Sequence, residues 1–260
     1  MAGRRALLAV VAVGVMVAVL APLWRSRGRV ARPPASDRLA GLPPVLLWAW
    51  ERPEDLGFID PQTTGVAFLA KVLHPHDDTV TVRRRAQPLR TPPGTVMVAV
   101  ARIEAATERL TDEQAALVVG EISDMTRLPG VHAVQVDFDA RVSQRAWYAR
   151  VLGAIRQRLP ASIGLSITGL ASWCVFDAWV EGLPVDEVVP MVFRMGPEAR
   201  QVRAQVAADG GFRVPLCQHA VGIASDEALP STPRAQRVYI FHPNTPWTEA
   251  DAWSVMTRTQ

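Results

Sequence analysis

VQVDFDA, at residues 134–140, alternates apolar and polar side chains along one predicted strand. Side chains alternate across a strand, so three apolar residues share one face and three polar residues share the other. The two sets are Val134, Val136 and Phe138, and Gln135, Asp137 and Asp139. In a (β/α)8 barrel the apolar set suits the helix side, which leaves the polar row pointing into the lumen. That row would rise toward the C-terminal mouth, where the active sites of this fold lie.

Apolar stretches along the rest of the chain predict the other strands of such a barrel. The eight predicted strands lie at 45–50, 65–73, 95–104, 131–139, 163–170, 187–195, 220–225 and 237–242. Mostly helical connections separate them, and a β-hairpin insertion at 79–85 follows the second strand. This order predicts an α/β fold, a somewhat irregular (β/α)8 TIM-like barrel. A doubly wound open sheet is the alternative, but no Gly-rich phosphate loop follows the first strand.

Helix signals occupy the connections. Thr111 and Gln114 form a capping-box pattern for a helix that runs to about Arg127. Ser143 is expected to cap the next helix, whose apolar face carries Tyr148, Leu152, Ile155 and Leu159. Three further helical segments are predicted near 173–180, from Pro197 to Gly210-Gly211, and from Thr245-Pro246 onward. The connection after the seventh strand is too short for a full helix, so the barrel is not ideal.

The N-terminal region differs in composition from the rest of the chain. Residues 6–24 are uninterrupted apolar sequence after two arginines, about the length that crosses a bilayer core. We predict a membrane anchor or signal segment at 1–24, a linker at 25–44 and a single domain at 45–260. An uncleaved anchor is favoured, because no small-x-small cleavage site stands out after Leu20. Arginines flank both ends of the apolar segment, which leaves its orientation open.

Charge argues against a nucleic-acid partner. Six arginines and no acid stand in 1–34, so removing them from the net charge of +3 leaves −3 for the remainder. A mildly acidic domain lacks the basic surface that nucleic acid requires. We expect an exported domain, periplasmic or extracellular, anchored in the inner membrane by the N-terminal helix or secreted if that segment is cleaved. The sequence leaves the oligomeric state open.

Neither the cysteines nor the histidine-rich turn indicates a metal or a cofactor. Cys174 and Cys217 have no metal-ligand spacing, and they are either two buried thiols or a disulfide of an oxidising compartment. His74 and His76 precede Asp77-Asp78 in the predicted hairpin turn, where these residue types are ordinary. No Gly-x-Ser-x-Gly motif is present.

Carboxylates at strand ends are the candidate catalytic groups. Asp137 and Asp139 would have Cα atoms roughly 6.5–7 Å apart, and their repulsion in a partly buried place should raise one pKa. Asp226 and Glu227 follow the seventh strand and could supply a second carboxylate. Candidate ligand-binding residues at the same mouth are Trp48, Trp50, Glu51, Arg102, Glu104, Gln135, Thr168, Trp173, Met191, Arg194, His242 and Asn244. Acids, arginines and flat rings gathered at one mouth suit a carbohydrate.

Several stretches resemble one known family. They are WAWERPEDLGFID (48–60), GVAFLAKVL (65–73), VQVDFDARVSQRAWY (134–148), LSITGLASWC (165–174), VDEVVPMVFRMG (185–196) and GIASDEALP (222–230). From Leu46 onward the chain resembles an uncharacterised bacterial family, one of the "domain of unknown function" families. That family is similar to barrel glycoside hydrolases, so the resemblance implies a barrel but no specific activity.

The fourth strand also resembles the chitinase-type family eighteen. That family's strand reads Asp-Gly-x-Asp-x-Asp-x-Glu, with the last glutamate as the acid. The matching positions here are His132, Ala133, Gln135, Asp137 and Asp139. Asp137 is kept, and Asp139 stands one methylene shorter in place of the glutamate. On the sixth strand, Met-x-Tyr-Asp is matched by Met191, Phe193 and Arg194, so the tyrosine and the aspartate are replaced.

Two hypotheses follow from these residues. In the first, the protein acts on a polysaccharide or cell-envelope glycan, with Asp139 as general acid and Asp137 tuning its pKa or steering a substrate amide. In the second, it binds glycans or assists envelope assembly without catalysis, as the replaced glutamate and tyrosine favour. The second hypothesis predicts that Trp48, Trp50 and Trp173 bind sugar without turnover.

Overall fold

A computed structural model describes residues 36–228 and 235–259. Eight strands form its central barrel. They are β1 (Val45–Ala49), β3 (Thr64–His76), β6 (Met97–Ile103), β7 (Val131–Asp137), β8 (Gly164–Leu170), β9 (Glu187–Met191), β10 (Ala220–Ala224) and β11 (Arg237–Phe241). All neighbouring pairs are parallel, and the barrel closes because β1 pairs with both β3 and β11. The TIM-like barrel is therefore confirmed.

The hairpin insertion is also confirmed. β4 (Thr79–Arg84) runs antiparallel to the C-terminal half of β3, from Lys71 paired with Arg84 to His76 paired with Thr79. β1 pairs with the N-terminal half of β3, from Thr64 to Phe68, so the hairpin extends beyond the end of β1. Two very short strands, β2 (Glu54–Asp55) and β5 (Leu89–Arg90), form a separate parallel pair.

Four α-helices accompany the strands in the described part of the chain. They are α1 (Asp112–Ser123), α2 (Arg145–Arg158), α3 (Ala199–Asp209) and α4 (Glu249–Thr259). The α1 cap is as predicted, because the Thr111 hydroxyl accepts from the Gln114 amide at 3.2 Å and the Gln114 side chain accepts from the Thr111 amide. A 3-10 turn, Asp124–Arg127, continues the chain to the expected end.

The predicted cap of α2 is wrong. Ser143 lies inside a 3-10 turn, Val142–Gln144, and the Gln144 side chain instead accepts from the Arg141 amide at 2.9 Å. Gln144 can fill this role because it is the third residue of the turn, from which its side chain reaches back to the amide of Arg141, the residue before the turn. The predicted apolar face is confirmed, since Tyr148, Leu152, Ile155 and Leu159 are all buried.

Other helix boundaries shift by a few residues. α3 begins two residues after Pro197 and ends at Gly210, whose φ of 69° is the left-handed conformation that favours glycine. In the predicted helix at 173–180 only a 3-10 turn forms, Ala171–Cys174. α4 begins after Thr248 rather than at Pro246, because the Thr248 hydroxyl accepts from the Asp251 amide at 3.1 Å.

The alternating residues of 134–139 lie on opposite faces of the barrel wall, the apolar ones toward the helices and the polar ones toward the lumen or its mouth. Val134, Val136 and Phe138 are at most 4% exposed and belong to the large core between strands and helices. Phe138 packs edge-on against Tyr148 of α2, with ring centroids 5.1 Å apart. On the other face, Gln135 is fully buried in the lumen, where it accepts from Trp48.

The end of the predicted linker closes the lower end of the barrel. Leu39 and Leu42 are buried in the lumen core, and the Ser36 hydroxyl donates to Asp186 at 2.6 Å. Just inside, Arg237 donates to the buried Glu187 at 2.9 Å, and the Tyr239 hydroxyl donates to the other oxygen of that carboxylate at 2.7 Å. Removing one partner of such a buried pair costs about 3–5 kcal/mol.

The predicted membrane segment lies outside the described residues, as does the linker up to residue 35. Within 36–228 and 235–259, every helix is too short or too polar to span a bilayer. The cysteines, whose state the sequence left open, form a disulfide between Cys174 and Cys217, with Cα atoms 6.0 Å apart. This bond joins the turn after β8 to the turn before β10.

Candidate active site

The two aspartates of the opening stretch stand at the C-terminal mouth of the barrel. Asp137 is the last residue of β7, and its side chain is 15% exposed. Asp139 follows two residues later and is exposed to solvent. A substrate in the mouth can therefore reach Asp139 directly, whereas Asp137 lies deeper between neighbouring strands.

Asp137 is held by residues of both adjacent strands. The Thr168 hydroxyl on β8 donates to Asp137 Oδ1 at 2.6 Å, and Arg102 Nε on β6 lies 3.9 Å from Oδ2. Burial raises the pKa of Asp137 above its usual value, the Thr168 hydrogen bond opposes this, and the charge of Asp139 adds to it. The Asp137 side chain is thus fixed in position, and its raised pKa favours the protonated form.

Asp139 also has a raised pKa, although its side chain is exposed. Partial desolvation by the surrounding mouth is the main cause, and the positive charge of Arg102 opposes it. Both aspartates therefore shift in the direction that a proton donor near neutral pH requires.

Glu104 and His74 extend the polar row beyond Arg102. Arg102 Nε lies 2.9 Å from Glu104 Oε1, and His74 Nδ1 lies 3.4 Å from Glu104 Oε2. His74 thus belongs to β3 rather than to the turn, where the sequence pattern had placed it. In the part of the chain that is described, no three His, Cys, Asp or Glu side chains come together as a metal site.

Tyr148 approaches the same acids from the helix side and was not predicted as part of the site. It is fully buried, and its hydroxyl lies 3.5 Å from the Val136 carbonyl oxygen. Burial raises its pKa well above the usual value, and the charges of Asp137 and Asp139 add to the effect. The phenol therefore stays protonated. A tyrosine on an amphipathic helix face gives no sequence signal for this neighbourhood.

A second charged cluster lies at the ends of β9 and β10. Arg194 donates to Asp226 at 2.9 Å and to Glu227 at 2.7 Å, and its backbone amide also donates to Glu227. The Arg194 hydrogen bonds lower the pKa of Asp226. The cluster thus brings together three residues that the sequence predicts as site residues. It also keeps Asp226 ionised, which suits a nucleophile or a general base but not a proton donor.

Five predicted binding residues are buried, and three of them, Trp48, Gln135 and Trp173, have no face to present to a ligand in this structure. Trp48 is 3% exposed inside the lumen, where its Nε1 donates to Gln135 Oε1 at 2.9 Å. Gln135 is fully buried and donates onward to the Ser166 hydroxyl. Trp173 is 3% exposed and packs edge-on against Trp179 at 5.0 Å.

Three half-buried rings form an aromatic cluster above the lumen core. Phe193 and Phe241 are stacked with centroids 5.6 Å apart, and Trp50 packs edge-on against Phe241 at 6.1 Å. Trp50 is a sequence-predicted ligand-binding residue, Phe193 stands where the chitinase-type family has a tyrosine, and Phe241 is not among the sequence-predicted residues. Their signal is positional, because each follows or ends a strand that leads to the mouth.

The remaining predicted residues have structural partners or lie at the rim. Glu51 pairs with Arg83 of the hairpin, and Met191 ends β9 beside Gly222. His242 is 9% exposed and bonds to Ser225, whereas Asn244 is exposed with a φ of 69°. A small surface depression beside Glu51 does not include either aspartate. It is lined by Glu51, Leu69, Lys71, Val72, Arg83, Arg85 and Gln87.

Neither a family model nor a curated protein matches the sequence. Among solved structures, the chain is similar to the spore cortex-lytic enzyme SleL of Bacillus cereus, with a TM-score of 0.44 and 16% identity over 69% of this chain and 50% of that chain. It is also similar to an endo-beta-N-acetylglucosaminidase from Cordyceps militaris, with a TM-score of 0.44 and 8% identity over 82% of this chain and 88% of that chain. The chain thus spans half the length of SleL, and the barrel itself is established by its own strand pairing.

Proposed function

We propose that this protein is a glycoside-hydrolase-like enzyme that acts on a polysaccharide or cell-envelope glycan. The observation that carries the proposal is the pair Asp137 and Asp139. An exposed carboxyl group with a raised pKa stands beside a second, buried one that Thr168 and Arg102 hold in place. Glycoside hydrolysis needs such a protonated acid beside the leaving oxygen.

In this proposal Asp139 protonates the glycosidic oxygen, because it is the member of the pair that solvent and substrate reach. The pKa of Asp139 is shifted by burial and by Arg102, so the role left for Asp137, which Thr168 and Arg102 hold in place, is to accept a hydrogen bond from a substrate amide. Asp226 or Glu227 supplies the second carboxylate if two protein acids take part. A separation of about 5–5.5 Å between the reacting carboxyl groups would then give retention, and about 6.5–9.5 Å inversion.

The aromatic cluster supports a sugar as the ligand. The rings of Trp50, Phe193 and Phe241 are only half-buried, and the apolar face of a sugar ring packs on such exposed aromatic surface. The same cluster supports a second candidate function, glycan binding without catalysis. That candidate is favoured by the one-methylene-shorter Asp139 and by Phe193, which lacks a hydroxyl.

Export and anchoring are part of the proposal. The Cys174–Cys217 disulfide supports an oxidising compartment, where such bonds persist. The apolar segment at 6–24 supplies the anchor. A reporter fused after Gln260 tests this, because a reporter that is active only outside the cytoplasm must then give a signal.

The enzymatic proposal is tested by incubating the full chain with envelope and secreted polysaccharides and measuring new reducing ends. Wild type is compared with Asp137→Asn and Asp139→Asn, which keep side-chain size. The enzyme proposal expects reducing ends from wild type and far fewer from Asp139→Asn. Retention on a glycan by wild type and both variants, without reducing ends, would establish the binding function instead.

A further inference from the structure

Ser225, His242 and Asp251 form a polar chain on the side of the mouth built by β10 and β11. Ser225 Oγ lies 2.7 Å from His242 Nδ1. On the other side of the ring, His242 Nε2 lies 2.9 Å from Thr245 Oγ1 and 3.8 Å from Asp251 Oδ2. A hydroxyl, an imidazole and a carboxylate in this order are the parts of an activated serine nucleophile.

The chain is brought together by tertiary structure. Ser225 directly follows β10, His242 directly follows β11, and the Ser225 amide donates to the Phe241 carbonyl oxygen at 2.8 Å, which fixes the two strand ends. Asp251 projects from the first turn of α4. These three residues come from separate parts of the chain and share no local sequence motif. A search for motifs such as Gly-x-Ser-x-Gly therefore does not find them.

The surroundings of the ring suit the tautomer that a general base needs. A proton on Nε2 would be donated to the Thr245 hydroxyl at 2.9 Å and would face the Asp251 carboxylate at 3.8 Å, and the Nδ1 lone pair would then accept from Ser225. The ring is 9% exposed and stacks on Trp247 with centroids 4.6 Å apart, so its orientation is fixed. Burial lowers the pKa of His242, opposed by Asp251, so the imidazole is neutral near pH 7 and able to take a proton.

We propose that Ser225 is a second nucleophile of this barrel mouth, activated by His242 and reactive toward carboxylic esters of small acyl groups. Oγ attacks the ester carbonyl carbon while its proton moves to Nδ1. The carbon–oxygen bond to the alcohol breaks, and the alcohol leaves with the proton from Nδ1. Water then attacks the acyl-serine, gives its proton to Nδ1 and releases the acid, and the proton returns to Oγ.

This activity uses neither Asp137 nor Asp139, the proposed acid pair at the end of β7. The competing explanation is structural, in which the Ser225–His242 hydrogen bond only joins two strand ends. The two explanations differ in the reactivity of the hydroxyl. A fluorophosphonate distinguishes them, because it forms a phosphorus–oxygen bond with an activated serine and loses fluoride, whereas an unactivated serine stays unmodified.

The experiment treats the full wild-type chain with a fluorophosphonate and locates the adduct by peptide mass mapping. We expect modification at Ser225, none at this peptide in Ser225→Ala, and modification at least about 10-fold slower in His242→Gln and Asp251→Asn. Ser143→Ala, which removes an exposed serine elsewhere on the mouth, should label like wild type. An unmodified Ser225 in folded wild type, or equal labelling rates in Asp251→Asn and wild type, would overturn the proposal.

Discussion

Thr168 and Asp137 join two neighbouring barrel strands through one short hydrogen bond, 2.6 Å from the threonine hydroxyl to Asp137 Oδ1. The bond links β8 to β7 at the height where the lumen opens to solvent. It stabilises the ionised carboxylate and so opposes the effect of burial on the pKa of Asp137. The protonation of the deeper acid thus depends on a residue of the next strand.

Replacing Thr168 with valine should raise the pKa of Asp137 further. The substitution keeps the branched shape but removes the donor, so the charged carboxylate loses a stabilising partner while burial persists. Carboxyl ¹³C NMR titration of wild type and Thr168→Val measures this shift. Serine at 168 restores the donor and serves as the control, and a lower or unchanged Asp137 pKa in Thr168→Val would contradict the assigned role.

Arg102→Gln should move the pH dependence of catalysis to higher pH. Asp139 acts in its protonated form, so activity falls as pH rises through its pKa. Arg102 lowers the pKa of both aspartates, and its loss therefore extends the protonated form toward alkaline pH. The descending limb of kcat/KM against pH tests this. Arg150→Gln, on the exposed face of α2, should leave the limb in place, and a downward shift in Arg102→Gln would contradict the sign.

Trp50→Ala should weaken glycan binding by about 5-fold, since a well-placed ring contact contributes on the order of 1 kcal/mol. The half-buried ring would be lost from the aromatic cluster, but Phe193 and Phe241 would stay stacked. Affinity electrophoresis in gels that contain the polysaccharide measures the change. Trp253→Ala is the matched control, because that ring is 70% exposed on α4. Equal weakening of binding by Trp50→Ala and Trp253→Ala would show that the aromatic cluster is not part of the binding site.

The disulfide should contribute substantially to stability. A bond between residues 43 positions apart removes chain entropy worth about 4 kcal/mol from the unfolded state. We expect a reductant to lower the midpoint of urea unfolding for wild type. A variant with both cysteines replaced by alanine should unfold at the same lower urea concentration as reduced wild type. Its midpoint should not change when reductant is added. A wild-type midpoint that does not change on reduction would show that the bond does not stabilise the fold.

The barrel could be predicted because its signals are local. Alternation at 131–139 assigns one face to the helices and one to the lumen, and the Thr111–Gln114 pattern fixes the start of α1. The interior of the lumen could not be predicted in the same way. Whether Trp48 faces a ligand or the core depends on Gln135, a hydrogen-bond partner 87 residues away.

The grouping of the candidate site residues could be predicted where a residue's position in its own strand determines where its side chain lies. Asp137, Asp139 and Arg102 come from adjacent strands and meet as their strand ends imply. Phe241 in the aromatic cluster and the Ser225–His242 pair were missed, because stacking and hydrogen bonding between strand ends depend on side-chain direction. The cysteine spacing was equally uninformative, since either free thiols or a disulfide fitted it.

The rate at which wild type and Asp139→Asn release reducing ends from the same envelope glycan tests the central claim most directly. If Asp139 donates the proton to the leaving oxygen, the asparagine variant should be at least about 100-fold slower, with an unchanged unfolding midpoint. Asp177→Asn, an exposed acid after β8 that pairs with Arg145, should match wild type. Equal rates for wild type and Asp139→Asn would contradict the assignment of Asp139 as the general acid.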